Sequence, residues 1–527
     1  MGNLTRTFEY VDKWARETPE AEAIVFEDRR ISYAEFAAEV DATAKALLDA
    51  GVERGDRVAM MAMACPEFFY TFMAANKIGA VWLGLSPKFS ARETGYIVGD
   101  CKPRVFVTLR SYMDKDLSDE LTKVDFIGNG VTKLLVLGEP FVNTESFDAF
   151  VETPRPHLDE KLAQRAAEVA PQDDALLMYT SGSTGQPKGV IQTHASILAN
   201  VEKQAEHFLM VEGTPRSLLH FPINHVAADV EIGFATIYVG GTTVMMDRFD
   251  PAASLEVVSK EKITMLGQIP AMFLMQAGVP GFMETDFSSL KVLIWAGAAA
   301  PIELLRGLQM ISAATGAALM TGYGSTEACG FVTYTKPGDD LETLAKSVGY
   351  AAEGFELRIV DDQRKPVPTG TQGEVALRGP FMFKEYFNKP EATAAAKDED
   401  GWYYTNDLGY LDEKGALYLN GRKSEMYKTG GENVFPAEIE EVLCTHDAVV
   451  MAAVIGVPDP TFQEVGHAFV MQKPGATVSE DELRAHCKEN LVNFKVPKRI
   501  EIHPMLPLLA NGKVNKMELK KGIEAGA

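Results

Sequence analysis

Residues 175–190 read ALLMYTSGSTGQPKGV. The apolar start ALLMYT suits a buried strand, and the later run HASILANVEKQAEHFL (194–209) suits a helix. What lies between is too polar for a buried strand and too rich in glycine for a helix. Gly182, Gly185 and Gly189 free backbone N–H groups to turn toward a ligand. Thr180, Ser181, Ser183 and Thr184 add hydroxyls, and Lys188 adds a positive charge. A strand, a cradle of donors and then a helix is the layout that receives phosphate oxygens in layered α/β proteins. It is not the P-loop, because Lys188 precedes the last glycine and no Gly-Lys-Ser/Thr follows. Composition alone also allows a flexible surface loop.

The flanking sequence agrees with a layered fold. VWLGL, RVFVTL, TKLLVLG, TVMM, ITMLGQIP, KVLIWAG and AALMTGYG are short apolar runs bounded by turn residues, with helical patterns between them. Such alternation to about residue 345 predicts largely parallel sheets covered by helices. Between about 346 and 420 the pattern changes to short alternating strands with tight turns such as DEKGA, an antiparallel region. The last hundred or so residues read as a small α+β unit. With 527 residues, several domains or subdomains are expected.

Charge and composition narrow the function classes. Hydrophobic residues make up 46% and charged residues 24%, an ordinary globular mix. Net charge is −23, which disfavours nucleic acid and anionic lipid as partners. The run VAMMAMACP (58–66) is too short to span a membrane, and MGNLTRTFEY lacks the charge and apolar run of a signal peptide. Five cysteines with no paired metal spacing read as free thiols, and a cytoplasmic setting is expected.

The whole string YTSGSTGQPKGV resembles the phosphate-binding signature of the adenylate-forming enzymes, which include acyl- and aryl-CoA ligases, amino-acid adenylation domains and firefly luciferase. Further segments resemble the other signatures of that superfamily, in its order: TGYGSTEA (321–328), GEVALRGPFMFKEYFN (373–388), GWYYTNDLGYLDEKG (401–415), NGRKSEMYKTGGENVFPAEIE (420–440) and LANGKVNKMEL (509–519). The resemblance spans essentially the whole chain. It implies a layered αβαβα N-terminal domain over 1–422, with sheet subdomains about 1–170 and 171–345 and a small antiparallel β-barrel over about 346–420. A mobile α+β C-terminal domain over 423–527 follows.

The chemistry implied is activation of a carboxylic acid by ATP with Mg²⁺, then transfer to coenzyme A. Two anions must meet, and at about 4 Å with an effective dielectric near 20 each unit pair repels by roughly 4 kcal/mol. Cations and aimed donors must offset that repulsion as charge develops. By resemblance, Lys513 bridges the acid and the α-phosphate, Thr326 contacts that phosphate, and Glu327 supplies the carboxylate for Mg²⁺. Asp407 and Arg422 correspond to groups that fix the ribose. By resemblance, the main chain of WAGAAAP, with Ala298, Ala299 and Ala300, lies against adenine and Tyr323 stacks on its other face; Gly322 and Gly324 join the nucleotide site, and Gly297 and Gly322 also border the acyl pocket.

His225 in HFPINHVAAD corresponds to the histidine that gates the acyl pocket of CoA ligases, where amino-acid adenylation domains carry aspartate. Ile223, Val226, Gly297 and Thr321 join it as pocket residues, and Asp229 lies one helical turn on. The pocket suits an aromatic, alicyclic or medium-chain acid. Lys428, Gly430, Gly431 and Asn433 match positions that serve the nucleotide and the pantetheine arm. Ser424 stands where relatives usually have Asp or Lys at the domain pivot, and the segment before Lys513 lacks their threonine-rich lead-in. Another acceptor, as in stand-alone loading of a carrier protein, and a homodimer both stay open at this point.

Overall fold

The computed structural model describes residues 4–113, 115–180, 186–208, 213–473, 475–508 and 514–526. Ser181, Gly182, Ser183, Thr184, Gly185 and Lys513 lie outside the described residues.

Two large sheets dominate. One has seven strands, in the order Lys188–Thr193, Asp174–Thr180, Val81–Leu85, Arg57–Met61, Val105–Leu109, Lys133–Leu137 and Glu145–Ser146. The other has nine, whose centre is the parallel set Ala318–Ser325, Val292–Trp295, Met265–Gln268, Arg216–Leu219 and Thr242–Met245. Each apolar run named from the sequence above is one of these strands. Their two faces feed different cores, as period-two alternation requires. Val58, Met60, Val105 and Val107 of the first sheet share a core with Ile294 and Met320 of the second. Between them lie Phe36, Phe68, Phe72 and Ile197 from the helices Tyr33–Asp49, Pro66–Lys77 and His194–His207. The opposite faces pack outward. Ala59, Met61 and Phe106 meet Ile97 and Val98 of the helix Ala91–Cys101. Leu218, Leu266, Leu293 and Leu319 meet Val258, Phe273 and Leu305. The result is the expected helix–sheet–helix–sheet–helix sandwich.

Local chemistry sets the helix ends. Ser32 and Glu35 form a reciprocal capping box before Tyr33–Asp49. Gly51, at φ +77°, ends it by donating its N–H to the Leu48 carbonyl at 3.1 Å.

The region after residue 346 differs from a barrel. Its strands Glu356–Val360, Gly373–Arg378, Tyr403–Leu411 and Leu417–Arg422 form an open four-stranded antiparallel sheet among the described residues. Four strands are too few to close around a filled interior. One edge is instead covered by the neighbouring chain: Val348 N–H donates to the Leu417 carbonyl at 2.9 Å, and Leu417 N–H to that of Gly349 at 2.8 Å.

Beyond Tyr427 a five-stranded sheet packs with the helices Pro436–Cys444 and Glu480–Asn490 around its own core of Tyr427, Ile439, Leu443, Val454, Val470 and Leu483. Among the described residues no helix is long and apolar enough to cross a membrane. All five cysteines are free thiols.

Two buried histidines give the fold a pH dependence. His220, stacked at 4.9 Å on Phe221, has its pKa pushed down to about 3 by burial, and His194 is pushed down to about 4 chiefly by burial. Both stay neutral while the unfolded chain protonates near 6.5. Stability is therefore present above about pH 6.5 and is lost as pH falls toward 4 and then 3, at roughly 1.4 kcal/mol per unit of separation. The conservative replacement His220→Phe keeps the ring beside Phe221 and Phe249. Its melting temperature is expected to gain on the wild type progressively as pH is lowered through this range. A constant offset across that range in thermal denaturation would refute the assignment.

Candidate active site

The segment that opened the sequence reading is a hairpin connection, not a strand-to-helix turn. Asp174–Thr180 pairs antiparallel with a second strand, Lys188–Thr193, and the helix His194–His207 begins only after it. Thr180 stands opposite Lys188, and Gln186 and Pro187 lead directly into the second strand. Polar strand residues such as Gln192 hid this strand from periodicity. Gly189 belongs to it rather than to the loop. A Cβ there would lie 2.8 Å from Leu177 Cδ1, and the Gly189 carbonyl accepts the Phe387 N–H at 2.7 Å. The glycine thus admits the chain of the third signature.

That crossing assembles the site. Lys188 Nζ lies 5.1 Å from the centre of the Tyr386 ring. The Tyr386 hydroxyl donates to Glu327 Oε1 at 2.9 Å. The main chain of the 326–327 turn is held twice. Gln192 Nε2 donates to the Thr326 carbonyl at 2.8 Å, and the Phe383 N–H donates to that of Glu327 at 2.8 Å. Three signatures far apart in sequence therefore converge on one half-buried carboxylate. Among the described residues no cluster of three or more His, Cys, Asp or Glu could hold a metal by itself. Glu327 suits Mg²⁺ as a single protein carboxylate, the remaining positions falling to phosphate oxygens and water. Gln192 and Tyr386 were not singled out from sequence. Tyr386 sits inside the quoted KEYFN, but nothing local marked its hydroxyl as the partner of Glu327.

The preceding strand is tightly crossed. At Gly324 a Cβ would fall 2.0 Å from the Gly330 carbonyl oxygen, and at Gly322 it would fall 2.3 Å from that of Thr333. Pairing of Ala318–Ser325 with Gly330–Tyr334 thus requires both glycines. Thr321 is buried, and its hydroxyl donates to the Trp295 carbonyl at 2.6 Å. Gly297, Ala298 and Ala299 are exposed at the end of the strand Val292–Trp295, and Gly297 takes φ +84°. They present a low, bare stretch of main chain.

A second polar group lies beside the first. The Tyr323 hydroxyl donates to Asp407 Oδ2 at 2.5 Å, and Arg422 Nε lies 3.1 Å from Asp407 Oδ1. Burial foremost, with the Asp407 charge, raises the Tyr323 phenol well above its ordinary range, so it stays a donor. Asp407 and Arg422 face one another across paired strands. Two residues on, Ser424 Oγ accepts from Asn406 Nδ2 at 2.8 Å, and Lys423 lies 2.9 Å from Asp362 and 3.3 Å from Glu374.

His225 is half-buried and its Nδ1 accepts the Ala227 N–H at 3.2 Å. It opens a π-helix, Ala227–Phe234, a form that recurs at functional sites. Ile223 and Val226 beside it are buried, and the Ile223 carbonyl presses on Gly84 where a Cβ would not fit. Lys428 pairs with Asn433 in a short hairpin turned by Gly430 and Gly431, at φ +59° and +91°. Both central residues carry positive φ, as the tightest hairpins demand. Leu508 and Val514, the described residues on either side of Lys513 in sequence, pair in an antiparallel bridge. Lys516, one of the lysines that could be mistaken for Lys513, is ion-paired to Glu440 at 2.7 Å and to Glu425.

Tyr386→Phe removes one hydrogen bond to Glu327 and leaves the ring in place. Acid-dependent pyrophosphate release is expected to fall about tenfold, with a raised Mg²⁺ requirement. An unchanged Mg²⁺ titration would show that the hydroxyl does not position Glu327.

A family profile described as "AMP-binding enzyme" matches residues 11–387, and one described as "AMP-binding enzyme C-terminal domain" matches residues 438–513. Over 511 residues the chain is 34% identical to a 3-[(3aS,4S,7aS)-7a-methyl-1,5-dioxo-octahydro-1H-inden-4-yl]propanoyl:CoA ligase of Mycobacterium tuberculosis, covering 97% of each chain. It is 33% identical to a feruloyl-CoA synthase of an Amycolatopsis species, covering 96% of this chain and 97% of that one. It is 32% identical to an indoleacetate–CoA ligase of Aromatoleum aromaticum, covering 97% of each. Among solved structures it resembles the anthranilate CoA ligase AuaEII in complex with anthranoyl-AMP, with TM-score 0.87, 26% identity and coverage of 99% and 98%. It also resembles the amide bond synthetase McbA of Marinactinospora thermotolerans, with TM-score 0.82, 27% identity and coverage of 98% and 99%.

Proposed function

Since this chain belongs to the AMP-binding enzyme family, the adenylate-forming CoA ligases, we propose that it joins an aromatic, alicyclic or medium-chain carboxylic acid to coenzyme A at the expense of ATP. A carboxylate oxygen attacks the α-phosphorus, a P–O bond forms, and pyrophosphate leaves with the electrons of the broken P–O bond. The CoA thiol then gives its proton to solvent and attacks the acyl carbon, forming the C–S bond, and AMP leaves with the electron pair of the broken bond between that carbon and the phosphate oxygen.

The single observation that carries the reading is the convergence of Lys188, Tyr386 and Glu327 at the mouth of the phosphate hairpin. Lys188, with the donors of residues 181–185, holds the outer phosphates. Thr326 donates to the α-phosphate, and Lys513 neutralises the charge shared by acid and phosphate as they meet. Mg²⁺ bound at Glu327 would withdraw charge from the phosphate oxygens. Asp407, oriented by Tyr323 and Arg422, takes the ribose hydroxyls, and the bare main chain at 297–300 lies along adenine. His225 stands between the acid and the thiol's approach. The hairpin 427–434 admits the pantetheine arm once the C-terminal unit, taken to begin at 423, has turned about Ser424. The ring-bearing acids named for the relatives above support a ring in the acid, and the free thiols suit a cytoplasmic enzyme.

A second reading draws on the likeness to an amide bond synthetase: an amine, rather than the CoA thiol, takes the acyl group. One experiment separates the two. A panel of carboxylic acids is incubated with MgATP, and AMP is followed with and without CoA and with added amines. Acid-dependent AMP formation that rises with CoA and yields a thioester supports the ligase. AMP formation that answers only to amine supports the second reading. Absence of acid-dependent pyrophosphate release with every acid would refute both.

A further inference from the structure

The π-helix that follows His225 is apolar except at two positions. Ala227, Ala228, Val230, Ile232 and Phe234 are buried, as the core requires. Asp229 is buried as deeply, at 0% exposure, and neither of its carboxyl oxygens has a hydrogen-bond partner among the described residues. Chains rarely keep such a group, because burying an unpartnered carboxyl is heavily disfavoured and an apolar side chain of similar size would stabilise the fold.

Its place suggests what completes it. The Asp229 N–H donates to the His225 carbonyl at 3.2 Å, so it lies one turn beyond the residue assigned to the acyl pocket. The π-helix packs on the helix His194–His207 and on the strand Gly330–Tyr334. Asp229 and Glu231 are the two acidic side chains that lie near the buried Cys329, two residues after Glu327. The π-helix that bears Asp229 thus runs on from the pocket histidine and packs on the strand Gly330–Tyr334, which follows the turn carrying Glu327. Burial holds the Asp229 acid well above the usual carboxylate range. A protonated carboxyl offers one O–H donor and one carbonyl acceptor, which matches a ketone or a hydroxyl rather than a hydrocarbon.

We propose that Asp229 is a specificity-determining residue of the acid pocket, and that its carboxyl hydrogen-bonds an uncharged oxygen substituent, a ketone or hydroxyl, on the carboxylic acid the enzyme activates. The proposal rests on the ligase reading above and adds the polarity of the acid. A site built to bond such an oxygen rejects the analogue lacking it, because its own buried group is then left unpaired.

The test uses the full chain with cyclohexylpropanoic and phenylpropanoic acids and their ring-ketone, ring-hydroxyl and ring-amine derivatives. Acid-dependent pyrophosphate release gives kcat/KM for each. Wild type is expected to favour a ketone or hydroxyl acid over its plain parent by about tenfold or more. Asp229→Asn, which keeps a donor and an acceptor, is expected to retain most of that ratio. Asp229→Leu is expected to bring it to about one, mainly by gaining on the plain acid. Asp229→Ala removes the carboxyl without adding volume and serves if the leucine variant does not fold. A ratio that Asp229→Leu or Asp229→Ala leaves unchanged overturns the proposal, as does a wild-type preference for the plain or amine acid. Turnover of plain acids with no oxygen preference sinks this inference and spares the ligase reading. No pyrophosphate release with any acid sinks the ligase reading, and this inference with it.

Discussion

Lys513→Ala is expected to cut acid-dependent pyrophosphate release by about 10²–10⁴-fold, with ATP affinity nearly kept. The reason is the timing of charge. On the ligase reading proposed above, ATP alone would be met by Lys188, the donors of residues 181–185 and an Mg²⁺ held at Glu327, all of which stay in the variant. Lys513 matters when a carboxylate approaches the α-phosphate and the two negative groups share one region of low dielectric. Its loss therefore falls on kcat for adenylate formation and little on the dissociation constant of ATP. Lys516→Ala is the control. That lysine is held by Glu440 and Glu425, so its loss should lower the melting temperature more than the chemistry. Equal effects of the two substitutions on pyrophosphate release, at matched stability, would remove Lys513 from the chemical step.

Glu327→Gln should be nearly as damaging, by about 10²–10³-fold. Glutamine keeps the size and the contact with the Tyr386 hydroxyl but removes the charge proposed to hold a divalent cation. The signature is a large rise in the Mg²⁺ concentration giving half-maximal rate, partly rescued by excess Mg²⁺. The fold should survive, because the turn is held through its main chain by Gln192 and Phe383 rather than through the carboxylate. A variant with wild-type Mg²⁺ dependence would show that the ion is held elsewhere.

These two predictions differ in how they were reached. Lys513 comes from the sequence signature alone, as it lies outside the described residues. Glu327 was named from its signature too, but its supports became visible only in three dimensions. Gln192 reaches Thr326 across 134 positions, Tyr386 reaches Glu327 across 59, and Tyr323 reaches Asp407 across 84. No periodicity links such pairs, since they arise from the way strands are ordered in a sheet. Gly189 and Gly322 had the same ambiguity. In sequence they read as room for a ligand, whereas each is needed where another backbone crosses, at Phe387 and at Thr333.

By itself the sequence determined the alternation of buried strands and amphipathic helices, and the order of the signatures. Those features are local: side-chain alternation, helix caps and turn residues act over a few positions. Only the tertiary structure decided that a second strand, Lys188–Thr193, stands between the phosphate segment and the helix, that the 356–422 strands stay an open sheet, and that Asp229 is buried with no hydrogen-bond partner among the described residues. Each of these depends on which distant segment lies alongside. A hydrogen bond or a buried charge is set by what surrounds it in space, and that surrounding is assembled only when the layers pack.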